Sequence, residues 1–208
     1  MIELLTADTP NGKKISIMLE EINCDYKVTK ININKDEQFK PEFKKLSPFS
    51  KIPVIIDHET KTSLFESGAI LIYLGEKSGK FYHKTQRTVI NQWLMGQMAY
   101  VGPMLGQHHQ FHHYNPGKSE FGENRYFKIS ERIYRELDER LSQSTFLAGN
   151  NYTIADIATF PWIARHEWHD IGLKKFRNLN RWYDEISSRE AVKKGYDLLK
   201  KGELIPKA

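Results

Sequence analysis

Strand-forming segments are confined to the first 80 residues of this chain, and that asymmetry restricts the fold more than any other feature. Short runs of β-branched and aliphatic residues between turn residues predict four strands, at Ile2–Thr6, 26–33, 52–57 and 62–65. Apolar residues at helical spacing predict a helix after the turn at Thr9–Gly12, a short helix from Pro41, and a third helix over 66–77. Because strands and helices alternate, we expect a small α/β domain over residues 1–80.

After a polar connection at 81–86, the pattern is helical throughout. Apolar periodicity predicts helices over 87–112, 122–142, 153–165, 175–187 and 189–201. The helix that starts near residue 153 begins with a capping box, Thr153 to Asp156, flanked by Tyr152 and Ile157 as a hydrophobic staple. We therefore expect an all-helical second domain over residues 87–208.

Length and composition exclude several classes of protein. The 208 residues suffice for one large or two small domains, and 39% hydrophobic against 27% charged residues excludes disorder as the main state. The longest apolar run, Ala69–Leu74, is far shorter than the ~18 residues of a membrane span, and the N-terminus has no basic signal region. We expect a soluble, unexported protein that does not enter a membrane.

The net charge of +5 raises the question of nucleic acid binding. All of the excess positive charge lies in residues 174–208, which hold 10 basic and 5 acidic residues. We expect these lysines to lie on the surface of a terminal helix and tail. A nucleic acid groove would instead interleave clustered basic residues with aromatic ones. We therefore expect no nucleic acid partner.

Two segments of the first domain are candidates for ligand binding. Pro53 cannot donate to a ladder, so Ile52–Pro53 either simply begins a strand or leaves the Ile52 backbone free to pair with an extended peptide. At Glu66–Ser67 a strand passes directly into a helix, whose N-terminus and serine hydroxyl suit a carboxylate while the Glu66 carboxylate suits an ammonium group. That combination fits an α-amino acid head, although both residues can equally be helix caps.

Taken together, these motifs resemble the cytosolic glutathione transferases over the whole length of the chain. The similarity extends to the nu-class bacterial enzymes, through the segments Thr9–Gly12, 38–43, 51–53, 64–70 and 102–107. The resemblance implies a thioredoxin-like α/β first domain with a cis Ile52–Pro53 bond, an all-α second domain, a homodimer, and a cytoplasmic location. It further implies a glutathione-dependent disulfide-bond reductase that uses reduced glutathione or its disulfide and no metal.

The resemblance also assigns roles to individual residues. Glu66 and Ser67 would hold the γ-glutamyl head of glutathione, and the Ile52 backbone beside Pro53 would pair with its cysteinyl amide. Gln38 and Lys51 would bind the glycine carboxylate of glutathione, and Thr9 and Asn11 would lie beside its sulfur. Arg132 corresponds to a residue that reaches the partner subunit's glutathione, although a helix-surface arginine can equally be solvated.

The chain departs from other classes of this family in the loop after the first strand, which contains neither the activating tyrosine nor the cysteine that those classes use. The only cysteine, Cys24, excludes an internal disulfide and a CxxC pair, fits a reducing compartment, and is expected to be a small buried hydrophobe. Disulfide reduction would therefore need two glutathione molecules, one as nucleophile and one as resolving thiol.

Four histidines lie between His108 and His113, in pairs whose spacing could hold a metal on one helix face. No Asp or Cys accompanies them, so we expect them to line the electrophile side of the cleft. Two other functions remain open at this stage: a glutathione-binding regulator without catalysis, and a transferase that conjugates electrophiles.

Overall fold

The computed structural model describes residues 1–208 and divides them into two compact units. The first unit comprises residues 1–82 and 189–204, and the second comprises residues 83–188 and 205–208. The division after residue 82 lies close to the expected boundary. Residues 189–204, however, were expected in the helical domain and pack with the first unit instead.

The first unit contains a four-stranded sheet in the order β2-β1-β3-β4. The strands are β1 (Ile2–Thr6), β2 (Tyr26–Lys30), β3 (Val54–Asp57) and β4 (Thr62–Phe65). β1 is parallel to β2, and β3 is antiparallel to both β1 and β4. A parallel pair joined by a helix and followed by a hairpin is the thioredoxin-like arrangement, so the predicted fold class of this domain is confirmed.

Two strands are shorter than the sequence pattern suggests. β2 ends at Lys30 instead of residue 33, because the Asn32 side chain accepts a hydrogen bond from the Asn34 amide at 3.2 Å and starts a 3₁₀ turn. β3 begins at Val54 instead of Ile52, because Pro53 has no N–H to donate to a ladder. The Ile52–Pro53 bond is cis, as expected.

Nine α-helices complete the chain: α1 (Pro10–Glu21), α2 (Pro41–Leu46), α3 (Ser67–Ser78), α4 (Arg87–Gly96), α5 (Gly102–His108), α6 (Glu120–Ser142), α7 (Ile154–Ile163), α8 (Arg177–Ser187) and α9 (Glu190–Asp197). The predicted helix over 87–112 is interrupted by π-helical segments at Gln97–Val101 and His109–Tyr114. Pro103 lacks the N–H that a regular helix requires, and the first π segment lies just before it. No helix has both the length and the apolar character needed to cross a membrane.

Helix α9 packs on α1, which explains why the C-terminal segment belongs to the first unit. A Cβ on Gly195 would lie 2.5 Å from the Ile17 Cα, so only glycine permits this close approach. The Ser16 hydroxyl donates to the Gly195 carbonyl at 2.6 Å. As a result, α1 is covered on all sides, and every residue from Gly12 to Leu19 is buried.

The second unit is built around α7, all ten residues of which are buried. The predicted capping box is present, with the Asp156 carboxylate accepting from the Thr153 amide at 2.9 Å. Asp156 also accepts from the Trp182 indole and the Leu147 amide, each at 2.9 Å. Complete burial nevertheless raises the pKa of this carboxyl. The capping aspartate therefore also joins α8 and the preceding loop to α7.

Candidate functional site

Three of the segments that the sequence singles out begin at the same end of the sheet. Leu5 pairs with Val54, and Val54 pairs with Phe65, so the end of β1, the start of β3 and the end of β4 lie side by side. The segments that continue from these positions contain Thr9–Asn11, Ile52–Pro53 and Glu66–Ser67. β2 runs parallel to β1 and ends beside it, and the loop that follows β2 carries Gln38. The topology therefore brings distant parts of the sequence to one edge of the first unit.

Glu66 connects β4 to α3 in an unusual backbone conformation, with φ 68° and ψ 113°. Positive φ is rare for residues other than glycine and is often retained at functional sites. The Glu66 carbonyl accepts the first helical hydrogen bond, from Ile70 at 2.9 Å, while its side chain is exposed and does not cap the helix. The structure thus presents a carboxylate to solvent at the start of α3, and the alternative that Glu66 is a side-chain cap does not hold.

Ser67 is the first residue of α3 and is only 6% exposed. The Lys14 amine lies 3.4 Å from the Ser67 hydroxyl oxygen. Lys14 is completely buried, and this burial lowers the pKa of its amine well below the usual value, while the Glu66 charge acts in the opposite direction. Sequence reasoning missed Lys14, because a lysine in an amphipathic helix normally reaches solvent.

The segment before β3 is anchored by Ser47. Its hydroxyl donates to the Lys51 carbonyl at 2.8 Å and accepts from the Lys51 amide at 3.1 Å. Pro53 is buried, Lys51 is exposed, and Ile52 lies between them outside the paired register of β3. The Ile52 backbone is therefore held in place by its neighbours without being part of the ladder.

Thr9 caps α1, and its hydroxyl oxygen accepts a hydrogen bond from the Gly12 amide at 3.1 Å. A threonine hydroxyl that accepts in this way still has its own proton to donate. Pro10 follows at the first helical position, and Asn11, next along the chain, is partly buried. A Cβ on Gly12 would collide with the Ala7 carbonyl, so glycine is required for α1 to start this close to β1.

Gln38 lies in a 3₁₀ turn at Glu37–Phe39, where its amide nitrogen donates to the Ile33 carbonyl at 3.4 Å. Its side-chain oxygen is buried without a hydrogen-bond partner. A buried oxygen without a partner is uncommon in folded proteins, and the Gln38 oxygen can therefore accept a hydrogen bond from a ligand.

Cys24 lies beyond the C-terminal end of α1, at the opposite end of this helix from Thr9. Its thiol is partly buried and lies 3.5 Å from the Asp25 carbonyl. Burial raises the pKa of the thiol. Since the thiolate is the nucleophilic form, this environment disfavours Cys24 as an attacking group.

In the second unit, the histidine-rich segment forms part of a stacked aromatic cluster. The His109 ring stacks on His169 with centroids 4.6 Å apart and on Trp162 at 5.8 Å. His169 in turn shares a hydrogen bond of 2.7 Å with the Tyr134 hydroxyl. No three His, Cys, Asp or Glu side chains are arranged to hold a metal ion. The remaining sequence-predicted residue, Arg132, lies on the exposed face of α6.

The fold defines the class of protein: a thioredoxin-like unit joined to a helical unit, with the Glu66 carboxylate, the N-terminus of α3 and the Ile52 backbone outside the β3 ladder at one end of the sheet. Residues 3–76 match the glutathione S-transferase N-terminal domain, and residues 109–190 match the glutathione S-transferase C-terminal domain. The chain therefore belongs to the glutathione S-transferase family, as the sequence motifs predict.

Relatives agree with this assignment. The chain is 44% identical over 207 residues to the disulfide-bond oxidoreductase YfcG of Escherichia coli (strain K12), covering 96% of this chain and 95% of that protein. A glutathione transferase from Burkholderia graminis, solved with two glutathione molecules bound per subunit, has a TM-score of 0.90 and 37% identity, covering 97% of this chain and 89% of that one. One from Pseudomonas putida, with one glutathione disulfide bound per subunit, has a TM-score of 0.86 and 38% identity, covering 97% and 92%.

Proposed function

We propose that this protein is a glutathione-dependent disulfide-bond reductase of the nu class. The observation that carries the proposal is the juxtaposition of Ile52–Pro53 and Glu66–Ser67, which flank the paired residues Val54 and Phe65 at one end of the sheet. Ile52 provides backbone hydrogen-bonding groups, and Glu66 and Ser67 provide a charged and a neutral side chain. An extended peptide with an α-amino acid head is the ligand that such a site recognises.

Each part of glutathione then has a counterpart in the first unit. Glu66 binds the ammonium of the γ-glutamyl head, and Ser67 with the N-terminus of α3 binds its carboxylate. The Ile52 backbone pairs with the cysteinyl amide. Gln38 and Lys51 bind the glycine end of the tripeptide.

Thr9 and Asn11 activate the sulfur. A thiol of pKa about 8.5 is only about 3% thiolate at neutral pH, and a decrease of about two units makes it roughly three-quarters thiolate. Thr9 stands at the N-terminus of α1 with its hydroxyl proton still available, and both that proton and the helix dipole stabilise an anion.

The reaction uses two glutathione molecules. The thiolate of the first attacks one sulfur of the substrate disulfide, forms a glutathione mixed disulfide and releases the other sulfur as a thiolate, which takes a proton. The second glutathione thiolate attacks the glutathione sulfur of that mixed disulfide, forming glutathione disulfide and releasing the second substrate thiol. The two glutathiones in the Burkholderia graminis relative and the glutathione disulfide in the Pseudomonas putida relative support this stoichiometry. The raised pKa of Cys24 supports a mechanism without a protein thiol.

We also propose that the protein is a homodimer in which Arg132 reaches the partner's glutathione, and that it works in the reducing cytoplasm. The exposed position of Arg132 on α6 supports its availability to a partner, and the single cysteine fits a reducing compartment. The functional division of the chain is a glutathione-binding domain over 1–80, with which residues 189–204 pack, and a helical domain that begins at residue 87; the extents of the two family matches support this division.

A steady-state comparison tests the function. Turnover of a small-molecule disulfide with glutathione should exceed turnover of a chloro-nitroaromatic electrophile, and both should need bound glutathione. Dominant conjugation would identify an electrophile-conjugating transferase, and binding without turnover would identify a regulator.

The site assignment is tested by Ser67→Ala, with Ser63→Ala on the exposed side of β4 as the matched control. Loss of a hydrogen bond to a charged group, worth roughly 1.5–3 kcal/mol, should weaken glutathione binding about tenfold or more in Ser67→Ala only. Equal affinities of the two variants by calorimetry would contradict the placement of the γ-glutamyl head.

A further inference from the structure

Lys13, in the first turn of α1, is completely buried, yet its amine is surrounded by acceptors. The amine donates to the Tyr196 carbonyl at 2.7 Å and forms ion pairs with Asp8 at 2.9 Å and with Glu203 at 2.5 Å. An ammonium group has three N–H bonds, and these three acceptors use all of them. The buried charge of Lys13 is therefore compensated within the protein, which fits a role in positioning the groups that it contacts.

These acceptors come from two distant parts of the chain. Asp8 directly precedes Thr9 in the loop after β1, whereas Tyr196 lies in α9 and Glu203 lies in the segment that follows α9. Lys13 also holds Thr9 through its backbone, because the Lys13 amide donates to the Thr9 carbonyl at 2.9 Å. One residue of α1 thus fixes two consecutive loop residues, Asp8 through its side chain and Thr9 through its backbone.

The segment that follows α9 is itself fixed against the start of α1. The Asp197 carboxylate accepts a hydrogen bond from the Glu203 amide at 3.0 Å and so closes a turn. Leu199, inside this turn, is buried, and a Cβ on Gly12 would lie 3.2 Å from its side chain. The turn therefore packs on the first turn of α1 and presents the Glu203 carboxylate to the Lys13 amine.

The charge of Lys13 also bears on a thiolate near Thr9. A neighbouring carboxylate disfavours the thiolate, whereas the Thr9 hydroxyl and the N-terminus of α1 favour it. The Asp8 carboxylate is one residue from Thr9, and Lys13 is its ion-pair partner. Removal of the Lys13 charge would therefore both release the loop and leave a carboxylate without this ion pair close to Thr9.

We propose that Lys13 is a positioning residue for sulfur activation. It holds the Asp8–Thr9 loop against the segment that follows α9, so that the Thr9 hydroxyl and the N-terminus of α1 face the glutathione sulfur. This role rests on the proposed activation of the sulfur by Thr9. A displacement of ~1 Å can lower a rate about a hundredfold, so turnover depends on a contact between Lys13 and Glu203, which are 190 residues apart.

The experiment compares Lys13→Met with Arg189→Met in the full-length protein. Arg189, just before α9, forms an ion pair of 2.6 Å with Glu21, at the opposite end of α1 from Thr9. Lys13→Met should lower disulfide-reductase turnover about tenfold or more, and the thiolate absorbance of bound glutathione should titrate at a pH about one unit higher. Affinity for S-methylglutathione, whose blocked thiol needs no activation, should stay within about threefold of wild type. Arg189→Met should keep all three wild-type values.

A second variant covers the case in which Lys13→Met does not fold. The Asp8 and Glu203 side chains are 29% and 13% exposed, so both carboxylates remain hydrated without the ammonium and we expect Lys13→Met to fold. Otherwise Glu203→Ala takes its place, because it removes one acceptor of the ammonium and leaves α1 unchanged. It should lower turnover at least about threefold and raise the titration pH, again with S-methylglutathione affinity kept.

The outcomes separate this inference from the function on which it rests. No disulfide turnover or no S-methylglutathione binding in the wild type refutes the proposed function and this inference with it. An active wild type with unchanged turnover or titration pH in Lys13→Met, or in Glu203→Ala in its place, refutes this inference alone. Equal losses of turnover in Lys13→Met and Arg189→Met also overturn it, as does a loss of S-methylglutathione affinity as large as the loss of turnover.

Discussion

Acidification should destabilise this protein through His109, whose imidazole is buried in the stack with Trp162 and His169. Its Nε2 atom has no hydrogen-bond partner, and burial lowers the pKa of the ring to about 3. An unfolded histidine has a pKa of about 6.5. When the pKa of a base is lower in the folded protein than in the unfolded protein, its contribution to the unfolding free energy is complete at pH values above the unfolded-state pKa. That contribution is lost as the pH falls from the unfolded-state pKa toward the folded-state pKa. Between pH ~7.5 and ~5.5 this one ring should cost about 1.4 kcal/mol of unfolding free energy.

Urea unfolding of the wild type and His109→Phe at these two pH values measures the contribution. Phenylalanine keeps an aromatic ring in the stack and cannot be protonated, so the pH-dependent loss should be about 1.4 kcal/mol smaller in the variant. The control is His83→Phe, because the exposed His83 ring is solvated in both states and its removal should leave the wild-type loss in place. An identical pH-dependent loss in wild type and His109→Phe would refute the reasoning.

Thr9→Ala and Asn11→Ala should each lower disulfide-reductase turnover more than glutathione affinity, because hydrogen-bond donors to a thiolate matter most once the charge has formed. In both variants the thiolate absorbance of bound glutathione should titrate at higher pH. Full turnover in the double variant would place sulfur activation elsewhere. Cys24→Ser should keep turnover per folded molecule within about tenfold of wild type, because glutathione supplies both thiols; a Cys24–glutathione adduct formed at the turnover rate would overturn this mechanism. Asp156→Ala should lower the unfolding free energy by more than about 3 kcal/mol, since it leaves the Trp182 indole and two amides unpaired. Chemical denaturation with unchanged stability would contradict that role of the capping box.

Much of the fold could be predicted from local pattern. The four strands, the hairpin and the helix start at Thr153 each carry their signal in adjacent residues, and the structure contains all of them. The exact ends of β2 and β3 depended on Asn32 and Pro53, whose effects on the backbone can be recognised in sequence only once the strand is known.

The placement of α9 could not be predicted, because an amphipathic pattern shows that a helix has a buried face without identifying what covers it. The contact between α9 and α1 depends on two residues that are 179 positions apart in the chain, Gly195 in α9 and Ser16 in α1. The burial of Lys13 follows from that same packing, because its amine donates to the Tyr196 carbonyl of α9, whereas the Lys14 amine contacts Ser67 of α3. Residues near the site that depend on long-range packing, such as Lys14, were therefore missed, whereas Glu66 and Ser67 were identified from their position between a strand and a helix.

The backbone conformation of Glu66 has a consequence for any effort to improve this protein by selection. A non-glycine residue at φ 68° and ψ 113° carries strain of about 1–3 kcal/mol, and glycine at the same position would relieve most of it. A library screened only for heat resistance should therefore enrich Glu66→Gly and discard the carboxylate that the site presents. Thermal robustness and ligand recognition compete at this single position, so directed evolution of the scaffold requires a binding step in every round.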